Sequence, residues 1–339
     1  NIIFIMADDL GYGDLGSYGQ ETIKTPNLDR LADEGTWFTQ FYAGSTECAP
    51  SRFALMTGKH MGHAYIRGNT QTPIRTSDIT IAEVLKASGY ATGMFGKWGL
   101  GHAGTTGDPA RKGFDEFTGY TDQGEAHYYY GDSIDRIIDG KTQKTAVPPG
   151  EYTYNIAMRD ALDFIRKNRD HKFFAYLPVR IPHTELLAPE EDMQLYLDKN
   201  GQSIFEETPF PGRGHHAAQA FPNAAYAAMV SKLDKDIGRI TDLLKELEIA
   251  DNTILFFTSD NGADNGYGHT EDYFNSNGPL RGRKRDLYEG GIRVPMVVWG
   301  PGNVTAGRIS DHKWTLWDVF PTFTALAGEP TPADIDGIS

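Results

Sequence analysis

The feature that most constrains the fold is how the chain's apolar runs end. Residues 2–7 (Ile-Ile-Phe-Ile-Met-Ala) are apolar without alternation, and Asp8-Asp9 follow at once. A strand with one wet face alternates, whereas a strand buried on both faces reads as a continuous apolar run. The strand-like segments 91–96, 172–179 and 253–258 end in the same abrupt way. They deliver Lys97, then Arg180 with Pro182-His183, then Asp260-Asn261. Helical segments stand between these strands. Thr25-Pro26 opens one through Leu31, with threonine as N-cap and proline at the first position. Residues 80–88 form another, stopped by Gly89. Longer ones are expected at 153–168, at 224–248, where Met229, Leu233, Ile237, Ile240 and Leu244 recur in steps of three and four, and near 315–327. A strand is expected at 294–299, a hairpin at 134–144 turning on Asp139-Gly140, and an irregular stretch at 184–222. This alternation predicts an α/β fold with a mostly parallel central sheet and helices on both faces.

In such sheets ligands bind beyond the carboxyl ends of the strands. The residues delivered there are carboxylates, an amide, a lysine and a histidine. Adjacent Asp8 and Asp9 would repel by about 4 kcal/mol at roughly 4 Å and an effective dielectric of 20. A hard divalent cation removes that repulsion. With Asp260 and Asn261 the set is all-oxygen, which suits Ca²⁺ or Mg²⁺ rather than Zn²⁺. Asp-Asp-x-Gly alone is more often a turn or helix cap. Two such sites on two apolar strands favour a metal.

Composition bounds the partners. With 339 residues the chain can bury a large core. Its formal net charge of −14 argues against nucleic acid or an anionic membrane as the main partner. It leaves room for an anionic substrate at a locally basic site. No apolar run is long enough for a transmembrane segment. The abrupt opening on a strand and the open end at Ser339 read as a chain trimmed at both ends, so no targeting signal is expected in it. The single cysteine, Cys48, excludes an intrachain disulfide.

Cys48 is followed by Ala49-Pro50-Ser51-Arg52. A helix is expected to start at Pro50, which puts the cysteine at a helix N-terminus beside an arginine, an electropositive place rather than a core. Here the chain resembles the sulfatases, of the formylglycine-dependent type in the alkaline-phosphatase-like superfamily. Cys48 to Arg52, continuing to Leu55-Met56-Thr57-Gly58, is similar to their maturation signature. Gly89-Tyr90-Ala91-Thr92-Gly93-Met94-Phe95-Gly96-Lys97-Trp98 is similar to the second signature. Asp8-Asp9-Leu10-Gly11, Ser259-Asp260-Asn261-Gly262, and Lys284 ahead of Tyr288-Glu289-Gly290-Gly291 are further landmarks in the family's order.

The resemblance implies one catalytic domain over 1–339, a pocket insert at 184–222, and a smaller C-terminal antiparallel subdomain that is cut off here. It implies that a maturation enzyme oxidises Cys48 to Cα-formylglycine. Ca²⁺, or alternatively Mg²⁺, would be bound by Asp8, Asp9, Asp260, Asn261 and residue 48. Arg52 would position the formylglycine, Lys97 and Lys284 would hold sulfate oxygens, and His183 would protonate the leaving alcohol. A hydrated aldehyde offers two hydroxyls, one to attack sulfur and one whose proton loss expels sulfate. The substrate would be a sulfated small molecule or glycan, and the setting periplasmic, extracellular or lysosomal.

One position departs from the pattern. Gly99 stands where many family members carry a histidine, the candidate base for sulfate expulsion. His127 and His102 are the substitutes, His127 being favoured because its loop can reach the site. A lone loop histidine is more often merely exposed. The basic run Arg281–Arg285 reads as anion-binding at Lys284 at least. Tyr128, Tyr129 and Tyr130 could stack on sugars or belong to the core. His215-His216 could line the pocket, and Asn303-Val304-Thr305 fits a glycosylation acceptor. Two other readings remain open: a phosphoester or phosphonate monoester hydrolase using the same groups, and a non-catalytic binding protein with Cys48 unmodified.

Overall fold

The computed structural model describes residues 1–214 and 216–339, so His215 lies outside the described residues. Its strands are β1 (Ile2–Asp8), β2 (Thr36–Tyr42), β3 (Ala91–Lys97), β4 (Glu116–Tyr120), β5 (Ser133–Ile138), β6 (Lys141–Ala146), β7 (Phe173–Pro182), β8 (Ile254–Ser259), β9 (Arg293–Trp299), β10 (Arg308–Ser310) and β11 (Trp314–Thr315). All lie in one sheet, ordered β10-β2-β9-β8-β1-β7-β3-β4-β5-β6, with β11 beside β2. The helices are α1 (Pro26–Glu34), α2 (Cys48–Thr57), α3 (Ile81–Ala87), α4 (Thr153–Lys167), α5 (Glu190–Met193), α6 (Pro222–Glu246), α7 (Glu289–Ile292) and α8 (Val319–Ala327).

The sheet centre is the parallel run β8-β1-β7-β3, the four strands whose polar ends the sequence marks. β1 explains why its run is continuous. Ile3, Ile5 and Ala7 enter a core shared with α1, α4 and α6, while Ile2, Phe4 and Met6 enter a second core shared with α2, α3 and α8. Both faces of the strand are dry, as a run without alternation requires. Antiparallel pairs occur toward the edges, where β9 joins β8 and β2, and β5 joins β4 and β6.

Local expectations hold where the signal is local. Thr80 and Glu83 form a capping box at α3. Asp139 and Gly140 turn the β5–β6 hairpin with φ of 50° and 72°, the left-handed pair such a turn needs. Three expectations change. α2 begins at Cys48 itself, with Glu47 as N-cap, and Pro50 falls at its third position. β7 runs on through Pro182, so Arg180 is inside the strand rather than after it. The stretch 184–222 is not structureless, for it holds α5, a 3₁₀ turn at Gln194–Tyr196, and a short antiparallel bridge between Phe210 and Gln219.

Candidate functional site

The acidic residues meet because of how β1 ends. In a regular strand Asp8 and Asp9 would point to opposite faces. Asp8 instead sits where the β1–β7 register shifts, and Asp9 leaves the strand at φ 68°. Both carboxylates then turn to one side. The left-handed conformation costs an aspartate about 1–2 kcal/mol. The Asp9 amide donates to Asp260 Oδ1 at 3.2 Å, which locks the β1 and β8 ends together. Asn261 Nδ2 donates to Asp9 Oδ1 at 2.8 Å, while Asn261 Oδ1 is buried without a hydrogen-bond partner.

Cations ring this cluster. Lys97 Nζ lies 2.7 Å from Asp8 Oδ2, and Lys284 Nζ 2.6 Å from Asp9 Oδ2 and 3.3 Å from Asp264 Oδ2. Arg52 donates from Nη2 to Asp260 Oδ2 at 2.7 Å and from Nη1 to the Lys97 carbonyl at 2.6 Å. All of these side chains are buried except that of Asp264, which is half-buried. Burial would raise the Asp8 carboxyl, but Lys97, His183 and Arg52 outweigh it and hold Asp8 well below the usual range. Asp260 goes the other way. Burial, and then the charge of Asp8, push it up to about 7 despite Arg52. Counting Asp264, four carboxyl groups face the three buried cations Arg52, Lys97 and Lys284.

Cys48 Sγ, where a modified residue would present oxygen, lies 3.1 Å from Asp8 Oδ1 and 3.9 Å from Asp9 Oδ1. The expected electropositive surroundings are overturned. Burial first, and then Asp260 and Asp8, push the thiol well above its ordinary value. Close carboxylates outweigh the field of a helix N-terminus, so this thiol is disfavoured as a thiolate nucleophile. Arg52 falls one helical turn after Cys48, on the same side of α2. Asn69 Oδ1 accepts the free Ala49 amide of the first turn at 2.9 Å.

The cluster opens into a cavity of about 430 Å³, lined by Cys48, Lys97, Lys284, His127 and His183 among others. His183 Nε2 lies 3.4 Å from Asp9 Oδ2, and its Nδ1 faces the Thr184 carbonyl at 2.5 Å. His127 stacks on His183 with ring centroids 4.3 Å apart. Burial, and then the neighbouring His183, push His127 far down, and burial also lowers His183. His102 does not line the cavity; it faces Gln71 Oε1 and, at 3.8 Å, Asp122. Gly99 has φ 79°, and a Cβ there would make ordinary van der Waals contact with Arg52 Cδ at 3.6 Å and Gln123 at 3.7 Å.

Sequence reasoning missed several cavity residues. Asp264 is three residues past Asn261 in the same strand-end loop, a spacing that could have marked it. Asn69, Gln71, Gln123, Asn265 and Tyr267 carry no such signal. Arg285 lies at the cavity mouth beside Lys284, and its φ of 74° lets the two side chains diverge. Of the three tyrosines, Tyr129 is buried in the core and Tyr130 is exposed. His216 packs against Tyr267 at 4.9 Å, so the 184–222 stretch borders the cavity.

The donor set can be tested for a cation. Asp8, Asp9, Cys48 and His183 offer atoms within 4.8 Å of one another. The excess of carboxylate and the orphaned Asn261 Oδ1 are what a hard cation would satisfy. Among the described residues, no helix is long and apolar enough to cross a membrane.

Comparison with known proteins agrees with this geometry. The sulfatase family model matches residues 1–329. The chain is 34% identical to the N-acetylgalactosamine-6-sulfatase of Homo sapiens, covering 100% of this chain and 64% of that protein. It is 31% identical to the steryl-sulfatase of Homo sapiens, covering 99% of this chain and 68% of that one. The crystal structure of Ps i-CgsB in complex with k-i-k-neocarrahexaose superposes with a TM-score of 0.82 at 32% identity, over 100% of this chain and 74% of that one. With the motifs, the sheet and the relatives all in register along its length, the chain belongs to the sulfatase family.

Proposed function

We propose that the chain hydrolyses sulfate esters of a carbohydrate, with residue 48 acting as formylglycine and a Ca²⁺ ion (or Mg²⁺) held by Asp8, Asp9, Asp260, Asn261 and residue 48. The observation that carries this reading is the buried carboxylate cluster with an unpartnered amide oxygen, set against residue 48 and two lysines at the floor of a cavity. When bound, the ion would neutralise the surplus carboxylate charge and acidify a hydroxyl on residue 48. Lys97 and Lys284 then stabilise negative charge on the sulfate oxygens. Arg52 holds residue 48 and Asp260 in register through its bonds to Asp260 and the Lys97 carbonyl. His183, beside Asp9, would give a proton to the leaving alcohol oxygen from its imidazolium form, which the Asp9 carboxylate favours. His127, stacked on it inside the cavity, is the better placed of the two candidate bases for expelling sulfate, whereas His102 faces Gln71 and Asp122.

The cavity supports a carbohydrate substrate. Asn69, Gln71, Gln123 and Asn265 offer amides to sugar hydroxyls, and Tyr267 offers a ring face. Relatives named N-acetylgalactosamine-6-sulfatase, and a neighbour solved in complex with k-i-k-neocarrahexaose, point the same way. The chain spans 64% of the length of the first of these relatives, so the 184–222 segment is read as one wall of a larger pocket. The resemblance to the sulfatases is the ground for reading the setting as periplasmic, extracellular or lysosomal.

Two measurements test the reading. Mass spectrometry of the Cys48 peptide, from cells that co-express a maturation enzyme, should show the aldehyde; a full-occupancy thiol would leave only a binding protein. Parallel turnover of aryl sulfates and aryl phosphates should favour sulfate. Faster phosphate cleavage would move the chain to the phosphoester reading.

A further inference from the structure

Arg180 takes no part in the reaction proposed above, yet it is 2% exposed in the middle of the site's scaffold. Among the described residues no carboxylate pairs with it. Burying a guanidinium without a counter-charge is unfavourable, so its contacts must repay the loss of water. Those contacts are specific. Nη1 donates to the carbonyls of Ala126 at 2.9 Å and Tyr128 at 3.1 Å, and Nη2 donates to Thr153 Oγ1 at 2.5 Å. The guanidinium lies between the rings of Tyr120 and Tyr129, 4.6 and 4.7 Å from their centroids. The Tyr129 hydroxyl in turn reaches the carbonyls of Arg180 at 2.9 Å and His183 at 2.8 Å.

The two carbonyls that Arg180 grips flank one residue, His127. The hydroxyl it stacks under grips the backbone of the other, His183. We infer that Arg180 is a positioning residue: with Tyr129 it clamps the 126–129 turn onto the end of β7, so that His127 lies over His183 inside the cavity. A lysine could supply the charge and donate to the carbonyls, but not a planar group that holds two carbonyls through Nη1 and Thr153 Oγ1 through Nη2 while stacking on two rings. The inference rests on the proposed hydrolase activity for its kinetic arm alone.

The test compares Arg180→Lys, His127→Ala and the double variant, with Tyr129→Phe as a second way to open the clamp. Ca²⁺ affinity and kcat on an aryl sulfate are read on each protein, and the ¹³C NMR signal of the His127 ring, which its stacked neighbour shifts, on those that keep His127. Arg180→Lys should move the His127 signal toward that of a free histidine, leave Ca²⁺ affinity unchanged, and lower kcat about tenfold or more. The double variant should be no slower than His127→Ala alone, since both changes remove one function. Tyr129→Phe should move the same signal in the same direction. A His127 signal that stays in place in Arg180→Lys, or a double variant slowed by the full product of the two factors, overturns the assignment. Absence of turnover in the parent protein would instead sink the hydrolase reading, and the NMR arm would still decide the role of Arg180.

Discussion

Asp8, Asp9, Asp260 and Asn261 stand at the ends of paired strands, whereas His127 and His183 stand in loops around the end of β7, and different forces hold the two sets. The acidic set is registered by backbone ladders: β1 runs beside β8 from Ile2↔Ile254 to Ala7↔Ser259 and beside β7 from Ile2↔Phe174. A slip of one residue would turn every core side chain of β1 to the wrong face, so that register is strongly specified. The histidine set depends on side chains gripping carbonyls, chiefly Arg180 and Tyr129. The acidic half should therefore tolerate little change in chemistry and much in its surroundings. The histidine half should be sensitive to residues that never touch a substrate.

The sharpest way to break the contrast is at the acidic half. Asp260→Asn removes the charge of a proposed Ca²⁺ ligand and the ionic partner of Arg52, and should lower kcat by about 10³-fold or more. Calorimetry with Ca²⁺ should show binding lost in parallel, and unchanged Ca²⁺ affinity would remove Asp260 from the ion. At the histidine half, His183→Ala should lower kcat by about 10²- to 10³-fold on alkyl sulfates while sparing Ca²⁺ binding. The loss should shrink on nitrophenyl sulfate, whose leaving group needs no proton, and an equal loss on both substrates would end its role as acid. A smaller effect concerns Gly99. If His127 fills the role of a histidine missing there, Gly99→His in a His127→Ala background should recover about tenfold in kcat. The left-handed backbone at 99 should cost the variant about 1–2 kcal/mol of stability, read as a lower Tm.

The smallest expected effect lies behind the site. His269 is buried against Tyr226, 4.1 Å between centroids, and burial lowers it to about 3. Its folded form holds fewer protons than the unfolded chain between about pH 3 and its ordinary value near 6.5. It therefore stabilises the fold above that window, and the contribution is lost as pH falls through it, by at most about 1.4 kcal/mol per pH unit. Asp14, bonded to the same Tyr226 at 2.6 Å, is raised to about 6 by burial and works in the opposite sense. Its contribution is full below its ordinary value near 3.8 and is lost as pH rises to about 6. Denaturation across this range should show a shallower acid loss in His269→Gln than in the parent; equal slopes would show that His269 is not the titrating group.

Much of this protein was legible in the chain. The central strands, the long amphipathic helix and the strand-end residues Asp8, Lys97, His183 and Asp260 follow from apolar runs and helical periodicity, which are properties of neighbouring residues. The order of the sheet centre follows less directly, since β1 finds β7 and β8 only by burying both faces. The start of α2 was misplaced because proline favours a first turn, and here it fits the third position of that turn.

What the sequence alone determined is which chemistry the strand ends present and which residue, Cys48, stands among it. Only the tertiary structure decided the setting of that cysteine: a closed, acid-lined floor where its thiol is held protonated. It also put His127, and not His102, on the wall of the cavity. Arg180 grips the carbonyls on either side of His127 from 54 residues along the chain in one case and 52 in the other. A period of two or of 3.6 records which face a residue takes, but not which distant side chain will hold its backbone.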